Sequence, residues 1–376
     1  MKNLLSYLKE YGRVSFEEEP LNELDIALFS QLPYIDFNSI SFDNDIKYSL
    51  KSLLKLYFVN HDKKDRYLGL ILPRDILPAI RKMSNCTRYK NVKVYNYINK
   101  INLEQEEQFS AITVDINRAT KLVIFGVTDD HIVGWKEDFN SLYLPTTLSQ
   151  KDAYKYLLDA GNYDNRKIYT LGHSKGGNLA MYASINAPQE LQDRIINVYN
   201  FDGQGFLSIN SNKKFDEIYA RILSICPRGS LIGRLFHHTE EAHIVNSCGM
   251  ALFQHDIFTW EVKGTKFVYL ERFDEISNSL DLLINGLIKE LTITEKENFV
   301  EAFFDFLHIT ATTLTELYQK PFSIITSYIM LKAESKTHLK RVAKVLLASK
   351  DFKKMMFDTY GELRRILKED QKKTKK

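Results

Sequence analysis

The sequence predicts an α/β protein whose sheet is mostly parallel and covered by helices on both faces. Its 376 residues are 44% hydrophobic and 12% aromatic, which suits a large filled core and argues against wholesale disorder. Between residues 92 and 226, short apolar segments alternate with segments of helical pattern. After Leu270 glycine becomes rare and helical periodicity dominates. We therefore predict an α/β domain over residues 1–271 and a helical appendage with a basic tail over residues 272–376.

Each element is predicted by a local pattern. Helical patterns over residues 22–32 and 147–160 predict two helices. Segments rich in β-branched, aromatic or other apolar residues predict strands over residues 92–97, 108–116, 122–127, 168–171, 195–201 and 220–226. The third of these is a continuous apolar run that ends at a turn, as a buried central strand does. In the appendage, Pro321 breaks the helical run.

A predicted strand, the motif G-x-S-x-G at residues 172–176 and a helical run of small residues follow one another. This order is the nucleophile elbow of the α/β-hydrolases, so we predict that fold with Ser174 as the nucleophile. The turn is so tight that the serine is strained, and side chains at Gly172 and Gly176 would clash with it. The alternative is an ordinary turn between a strand and a helix.

A serine nucleophile needs a base and an orienting carboxylate, and in this fold both follow the serine in the chain. Asp202 directly follows a predicted strand, whereas the next strand ends without a carboxylate, so Asp202 is the expected acid. Its alternative is a plain Asp-Gly turn. His255, in a loop rich in aromatic residues, is the favoured base, with His237 or His238 in reserve. The alternative for His255 is a loop histidine that only packs.

The oxyanion hole takes one backbone N–H from the residue after the nucleophile, which is Lys175, and only its backbone is expected to matter. The second N–H comes from the loop after an earlier strand, where Thr128 is the candidate and its hydroxyl is a further donor. A polar turn is the alternative for Thr128. His173, beside the nucleophile, is expected to pack against the sheet.

Charge is distributed unevenly along the chain. The net charge is +3, but from Met330 onward fifteen Lys and Arg face six Asp and Glu. This basic tail could touch an anionic membrane, although a solvated helix end is the commoner case, and we expect no nucleic acid partner.

The apolar segments and the cysteines of the sequence indicate the cellular compartment and the need for cofactors. No secretory signal and no run of about 18 apolar residues is visible, so we expect a cytoplasmic protein. The three cysteines are expected to be buried, reduced thiols, because their number is odd and no C-x-x-C occurs. Neither a metal nor an organic cofactor is expected.

Five segments together resemble an uncharacterised bacterial family of Mbeg-like, α/β-hydrolase-like proteins, itself distantly similar to class 3 lipases. They are residues 22–36, 128–139, 172–178, 201–203 and 254–256, and the resemblance covers roughly residues 5–265. It implies a hydrolase-like fold but no substrate. Two departures occur. Val127 precedes Thr128 where the family usually has glycine, which stiffens the predicted oxyanion loop, and Ile257 stands where proline is common.

These observations predict a serine hydrolase that cleaves a carboxylic ester or a thioester, with an acyl ester or a lipid as substrate. The alternative is a non-catalytic hydrolase-fold module that binds a partner or an anionic membrane surface. A peptidase or amidase is a third possibility, because the elbow is the same for amide chemistry.

Overall fold

A computed structural model describes residues 1–42, 46–62, 66–126, 128–207, 216–308, 311–320 and 327–374. The strands are β1 (Tyr48–Ser49), β2 (Lys93–Asn102), β3 (Glu107–Asp115), β4 (Thr120–Phe125), β5 (Lys167–His173), β6 (Ile195–Phe201), β7 (Ile222–Pro227), β8 (Ala242–Val245), β9 (Val262–Lys263), β10 (Lys266–Phe267) and β11 (Tyr269–Leu270). Within the described ranges, nine of them form one sheet in the order β1-β2-β3-β4-β5-β6-β7-β8-β11, and β9 pairs with β10.

The centre of the sheet is parallel and its edges are antiparallel. Strands β4 to β8 run parallel to one another, whereas β1 to β4 pair antiparallel and β11 pairs antiparallel with β8. The connections explain the difference, because only four residues join β2 to β3 and only four join β3 to β4. A parallel crossover needs a dozen or more residues. The sheet is therefore mixed, and the predicted parallel arrangement holds for its centre.

Helices precede, connect and follow the strands. They are α1 (Leu4–Tyr11), α2 (Glu23–Phe29), α3 (Leu50–Asn60), α4 (Ile76–Met83), α5 (Ile132–Asn140), α6 (Leu148–Asn162), α7 (Lys175–Asn186), α8 (Gln189–Gln192), α9 (Asp216–Tyr219), α10 (Glu275–Glu290), α11 (Ile293–His308), α12 (Leu314–Gln319), α13 (Ala333–Ala348) and α14 (Lys350–Thr374). Capping boxes at Asn22 and Thr147 start α2 and α6 by satisfying free backbone N–H groups. The sequence predicts both of these helices from their helical patterns.

Apolar cores lie on both faces of the sheet. Alternate residues of β4 point to opposite faces, so Leu122 and Ile124 join the core of the N-terminal helices. Val123 and Phe125 join the core formed with α6 and α7. In such a sheet, covered on both faces, a site that needs polar side chains and solvent forms at the carboxyl ends of the parallel strands.

The C-terminal helices pack on two parts of the sheet domain. Helix α11 packs on α5, where the rings of Phe139 and Phe304 lie 5.3 Å apart. Helix α14 packs on the 3₁₀ turn Ala251–His255, and the Leu252 N–H donates to Thr359 Oγ1 at 3.4 Å. The division into residues 1–271 and 272–376 stays a prediction. Pro321, which breaks the helical run in the sequence, lies outside the described residues.

No helix within the described ranges combines the length and the apolar character that crossing a membrane requires. The three cysteines are free thiols. Cys226 is buried as predicted, but Cys86 is only partly buried and Cys248 is exposed, so the expectation of burial is wrong for Cys248. Cys248 is exposed because it lies in the loop that follows β8.

Candidate active site

Strand β5 ends at His173 and helix α7 begins at Lys175, which leaves Ser174 alone in the turn between them. The backbone of Ser174 has φ 56° and ψ −128°, a region that residues with a side chain rarely adopt and that costs of order 1–3 kcal/mol. A Cβ on Gly172 would lie 2.1 Å from the Gly176 carbonyl carbon, and one on Gly176 would lie 2.3 Å from the Phe125 oxygen. The backbone therefore requires both motif glycines.

Asp202 and His255 form a hydrogen-bonded pair at the carboxyl edge of the sheet. His255 Nδ1 lies 2.6 Å from Asp202 Oδ2, although the two residues are far apart in the chain. Asp202 is only 1% exposed, and its other oxygen accepts hydrogen bonds from the Ser230 hydroxyl and from the Gly233 N–H. Since a carboxylate only accepts, Nδ1 carries the proton and Nε2 is left as the acceptor of a neutral imidazole.

Helix α10 is connected to this carboxylate through a serine. The Ser277 hydroxyl donates to the Ser230 carbonyl at 2.6 Å, while the Ser230 hydroxyl donates to Asp202. Arg234, in the same loop, pairs with Asp281 of α10 at 2.5 Å. The orientation of the carboxylate thus depends on contacts that the C-terminal helices provide.

Ser174 is close to the Asp202 turn through its backbone. Its N–H donates to the Phe201 carbonyl at 2.8 Å, and a Cβ on Gly203 would lie 2.2 Å from the Ser174 carbonyl oxygen. The Ser174 hydroxyl itself makes no hydrogen bond to any residue that the structure describes, His255 included.

The two reserve histidines lie elsewhere. His238 Nδ1 pairs with Glu240 Oε1 at 2.7 Å. His237 is exposed, and its backbone N–H and carbonyl pair with those of Phe206 at 3.0 Å. Neither histidine bonds to Asp202 within the described part of the chain, so the structure brings together His255 and Asp202 rather than either reserve residue.

The predicted oxyanion donors differ in what surrounds them. The Lys175 N–H, in the first turn of α7, has no acceptor within the described part of the chain, as is usual for the first N–H groups of a helix. The Thr128 hydroxyl, in contrast, donates to Asp138 Oδ2. That hydroxyl is engaged, so only the backbone N–H of Thr128 remains as a candidate donor. Val127, which departs from the family pattern, lies outside the described residues.

The side chain of Lys175 forms a buried ion pair that the sequence analysis missed. Its ammonium lies 2.6 Å from Glu137 Oε2 and 3.7 Å from Asp138 Oδ1. Burial favours the neutral forms of both Lys175 and Glu137, but their mutual attraction outweighs it, so the pKa of Glu137 is lowered and that of Lys175 is raised. Burial raises the pKa of Asp138 to about 6. This group of charges links Lys175, the residue after Ser174, to Thr128.

His173 contacts His255 as well as its neighbours in the sheet. Its ring lies 4.5 Å from the ring of His255, its Nε2 is 2.9 Å from the His255 carbonyl oxygen, and its Nδ1 is 2.5 Å from the Tyr34 hydroxyl. Burial, and then the nearby charge of His255, hold the pKa of His173 well below its usual value. The ring is therefore neutral, so Nε2–H donates to His255 and Nδ1 accepts from Tyr34. The sequence gives no signal for this contact, because its partners lie far along the chain.

Residues 83–305, more than half of the chain, match the model of the Mbeg1-like family. The chain belongs to the Mbeg1-like family. Among solved structures, the chain is similar to the crystal structure of M37 lipase, with 15% identity and a TM-score of 0.33. That likeness covers 45% of this chain and 66%, just under two thirds, of the lipase chain. A comparison with curated proteins gives no match.

The Mbeg1-like match contains Ser174, Asp202, His255 and both expected oxyanion donors. This match begins and ends later in the chain than the resemblance over residues 5–265 that the sequence analysis describes. It leaves out Tyr34 and includes α10 and most of α11. The family region therefore crosses the predicted boundary at residue 271. Within the described ranges of this Mbeg1-like chain, no group of three or more His, Cys, Asp or Glu side chains is placed to hold a metal ion.

Proposed function

We propose that this Mbeg1-like chain is a serine hydrolase with an α/β-hydrolase fold that cleaves a carboxylic ester or a thioester. The observation that carries the proposal is the Asp202–His255 pair, 2.6 Å apart, at the sheet edge where Ser174 occupies a strained turn. Structural serines have no need of positive φ, whereas this backbone is what lifts a nucleophile clear of a sheet.

In the proposed reaction, the Ser174 oxygen attacks the carbonyl carbon of the substrate while His255 Nε2 accepts the serine proton. Asp202 holds the imidazole and stabilises its positive charge. The N–H groups of Lys175 and Thr128 stabilise the negative oxygen of the tetrahedral intermediate. His255 then returns the proton to the leaving alcohol or thiol, and water releases the acyl group by the same steps.

Labelling with a fluorophosphonate probe tests the proposal. We expect the intact chain to be labelled and Ser174→Ala to be unlabelled, because the probe bonds only to an activated serine. Ser39→Ala is the matched control, since Ser39 is exposed and far along the chain. Equal labelling of Ser174→Ala and the intact chain would overturn the assignment. Parallel assays with p-nitrophenyl esters, acyl thioesters and anilides separate ester and thioester chemistry from the amidase alternative.

A specific surface supports the second candidate, contact with an anionic membrane surface. Helix α14 packs on the His255 turn with one side, while Met356, Phe357 and Tyr360 are exposed on it, Phe357 at 77%. Lys353 and Lys354 are exposed beside them. Apolar side chains next to lysines suit a peripheral contact with anionic lipid in the cytoplasm, where we expect the protein to act.

Vesicle sedimentation distinguishes this contact from a solvated helix. We expect the intact chain to bind phosphatidylserine vesicles and Phe357→Ser with Lys353→Glu to bind them several-fold more weakly. Phosphatidylcholine vesicles are the control. A truncation at Met330 is unsuitable, because it removes the helix that packs on the His255 turn. If the variant sediments as the intact chain does, this surface has no such role. If binding occurs but no labelling does, the chain is a binding module.

A further inference from the structure

A cavity of about 360 Å³ lies between the chain that follows Asp202 and helices α10 and α11. Leu207, Phe236, Leu282 and Ile288 supply apolar parts of its wall. Lys289 and Lys296 also line it. The cavity therefore has apolar walls and two ammonium groups, which is the composition that receives an amphiphilic anion.

Lys296 is an unusual wall residue because it is buried and unpaired. It lies on the same side of α11 as Val300 and Phe304, which are packed in a core, and only 8% of its surface is exposed. Its ammonium makes no hydrogen bond or ion pair with any residue that the structure describes. The ammonium itself keeps contact with the solvent of the cavity that Lys296 lines. A ligand that brings a negative charge can therefore pair with it there.

The nearby carboxylate does not serve as that partner. Asp281 lines the cavity, but it pairs with Arg234 at 2.5 Å and accepts from the Asn285 amide at 2.6 Å. Lys289 is likewise without an ion pair among the described residues. Among the described residues that line the cavity, the charge without an ion-pair partner is therefore positive.

The cavity is within reach of the nucleophile. Gly203 adjoins the Ser174 carbonyl, and four residues further along the chain Leu207 forms part of the cavity wall. Four residues span at most about 14 Å, roughly the length of a medium acyl chain or a headgroup with its linker. A ligand of that length is what the proposal below requires, with its carbonyl at Ser174 and its anionic group in the cavity.

We propose that this cavity binds the anionic group of the substrate, a phosphate or a carboxylate joined to an apolar chain. This inference rests on the proposed function, because it takes the ligand to be the substrate of the hydrolase, an acyl ester with a negatively charged end. The Lys296 ammonium binds the anion, Lys289 adds charge at the wall, and Leu282 and Ile288 contact the apolar part. Free phosphate carries the same anionic group without the apolar chain, and the test distinguishes the two ligands.

Calorimetric titration of the full chain carrying Ser174→Ala tests binding without turnover. Octyl phosphate, inorganic phosphate and the uncharged octyl glucoside are the three probes. We expect octyl phosphate to bind and octyl glucoside not to bind. Lys296→Met in the same chain keeps the apolar stem and should weaken octyl phosphate binding by about tenfold or more, the effect of losing one charged hydrogen bond. Lys344→Met, which removes an exposed charge from α13, is the matched control and should bind as the parent does.

A second variant keeps the test valid if Lys296→Met fails to fold. Leu282 is 77% exposed at the cavity wall, so Leu282→Glu adds a carboxylate there with little loss of packing. It should weaken octyl phosphate binding by a similar factor, and more so at low salt. Equal binding by parent, Lys296→Met and Leu282→Glu would overturn the proposal, as would failure of the parent to bind either phosphate.

The two phosphate probes identify the source of the anion. Binding of octyl phosphate but not of inorganic phosphate supports the proposal, whereas equal binding of both would overturn it, because the apolar chain would then contribute nothing. The supporting result also requires that Lys296→Met weakens binding. Fluorophosphonate labelling of Lys296→Met with Ser174 intact separates this proposal from the proposed function. If Lys296→Met is labelled but no longer binds octyl phosphate, both proposals are supported. If the parent chain binds octyl phosphate but is not labelled, the anion site is supported and the proposed function is not.

Discussion

Replacing His173 by phenylalanine tests whether this residue positions the proposed base. The change removes the donor that is 2.9 Å from the His255 carbonyl and the acceptor that is 2.5 Å from the Tyr34 hydroxyl. A buried polar group left without a partner costs about 1–3 kcal/mol, so we expect the free energy of unfolding to fall by about 2–4 kcal/mol. Urea denaturation measures this loss.

The same change should slow the reaction at Ser174. If His173 restrains the His255 turn by about 1.4–2.8 kcal/mol, its loss lowers the second-order rate of fluorophosphonate labelling by about 10- to 100-fold. His173→Gln is the matched variant, because its amide N–H can still donate to the His255 carbonyl, and it should recover most of the rate. A folded His173→Phe chain that is labelled at the parent rate would refute the positioning role. Equal losses in the Phe and Gln variants would show that this hydrogen bond is not the cause.

Three further predictions concern the charged groups of the site. Asp202→Asn should lower the labelling rate by about 10³- to 10⁴-fold, because the amide favours the wrong imidazole tautomer; a loss below tenfold in a folded variant would contradict this. Lys175→Met should lower the free energy of unfolding by about 3–5 kcal/mol in urea, because the buried Glu137 carboxylate loses the opposite charge beside it, and adding Glu137→Gln should restore part of the loss. Burial raises the pKa of Asp138 to about 6, so between about pH 4 and pH 6 the folded chain keeps a proton that the unfolded chain has released. The free energy of unfolding therefore falls as the pH rises through this range. Asp138→Asn should therefore stabilise the chain relative to the parent by up to about 3 kcal/mol more at pH 7 than at pH 4; equal differences at both pH values would contradict the assignment.

Local patterns predict much of the sheet centre. Strands β4, β5 and β6 are continuous apolar or β-branched runs, and their placement requires only neighbouring residues. The antiparallel edge from β2 to β4 was missed because the prediction weighed the composition of the segments and not the four-residue connections that fix their direction. Chain order likewise pointed to Asp202 and His255, which the structure brings to within 2.6 Å of each other.

Contacts between distant segments could not be predicted. The sequence shows His173 beside the nucleophile, but its partners Tyr34 and His255 are 139 and 82 residues away. The sequence predicts a role only for the Lys175 backbone, because the partner of its side chain, Glu137, lies 38 residues before it. Thr128 and Asp138 are ten residues apart, and the position of α5 decides that the threonine hydroxyl is engaged. Packing of the elements, rather than composition, sets each of these contacts.

The serine-to-serine link from α10 to the Asp202 carboxylate bears on how this protein can be shortened. An excised sheet domain would lose the Ser277 contact that anchors Ser230 beside Asp202, so it should keep the strands yet lose the proposed reactivity of Ser174. The proposed activity would then require the C-terminal helices. A chain that ends near residue 271 would fold its sheet but would not be expected to react.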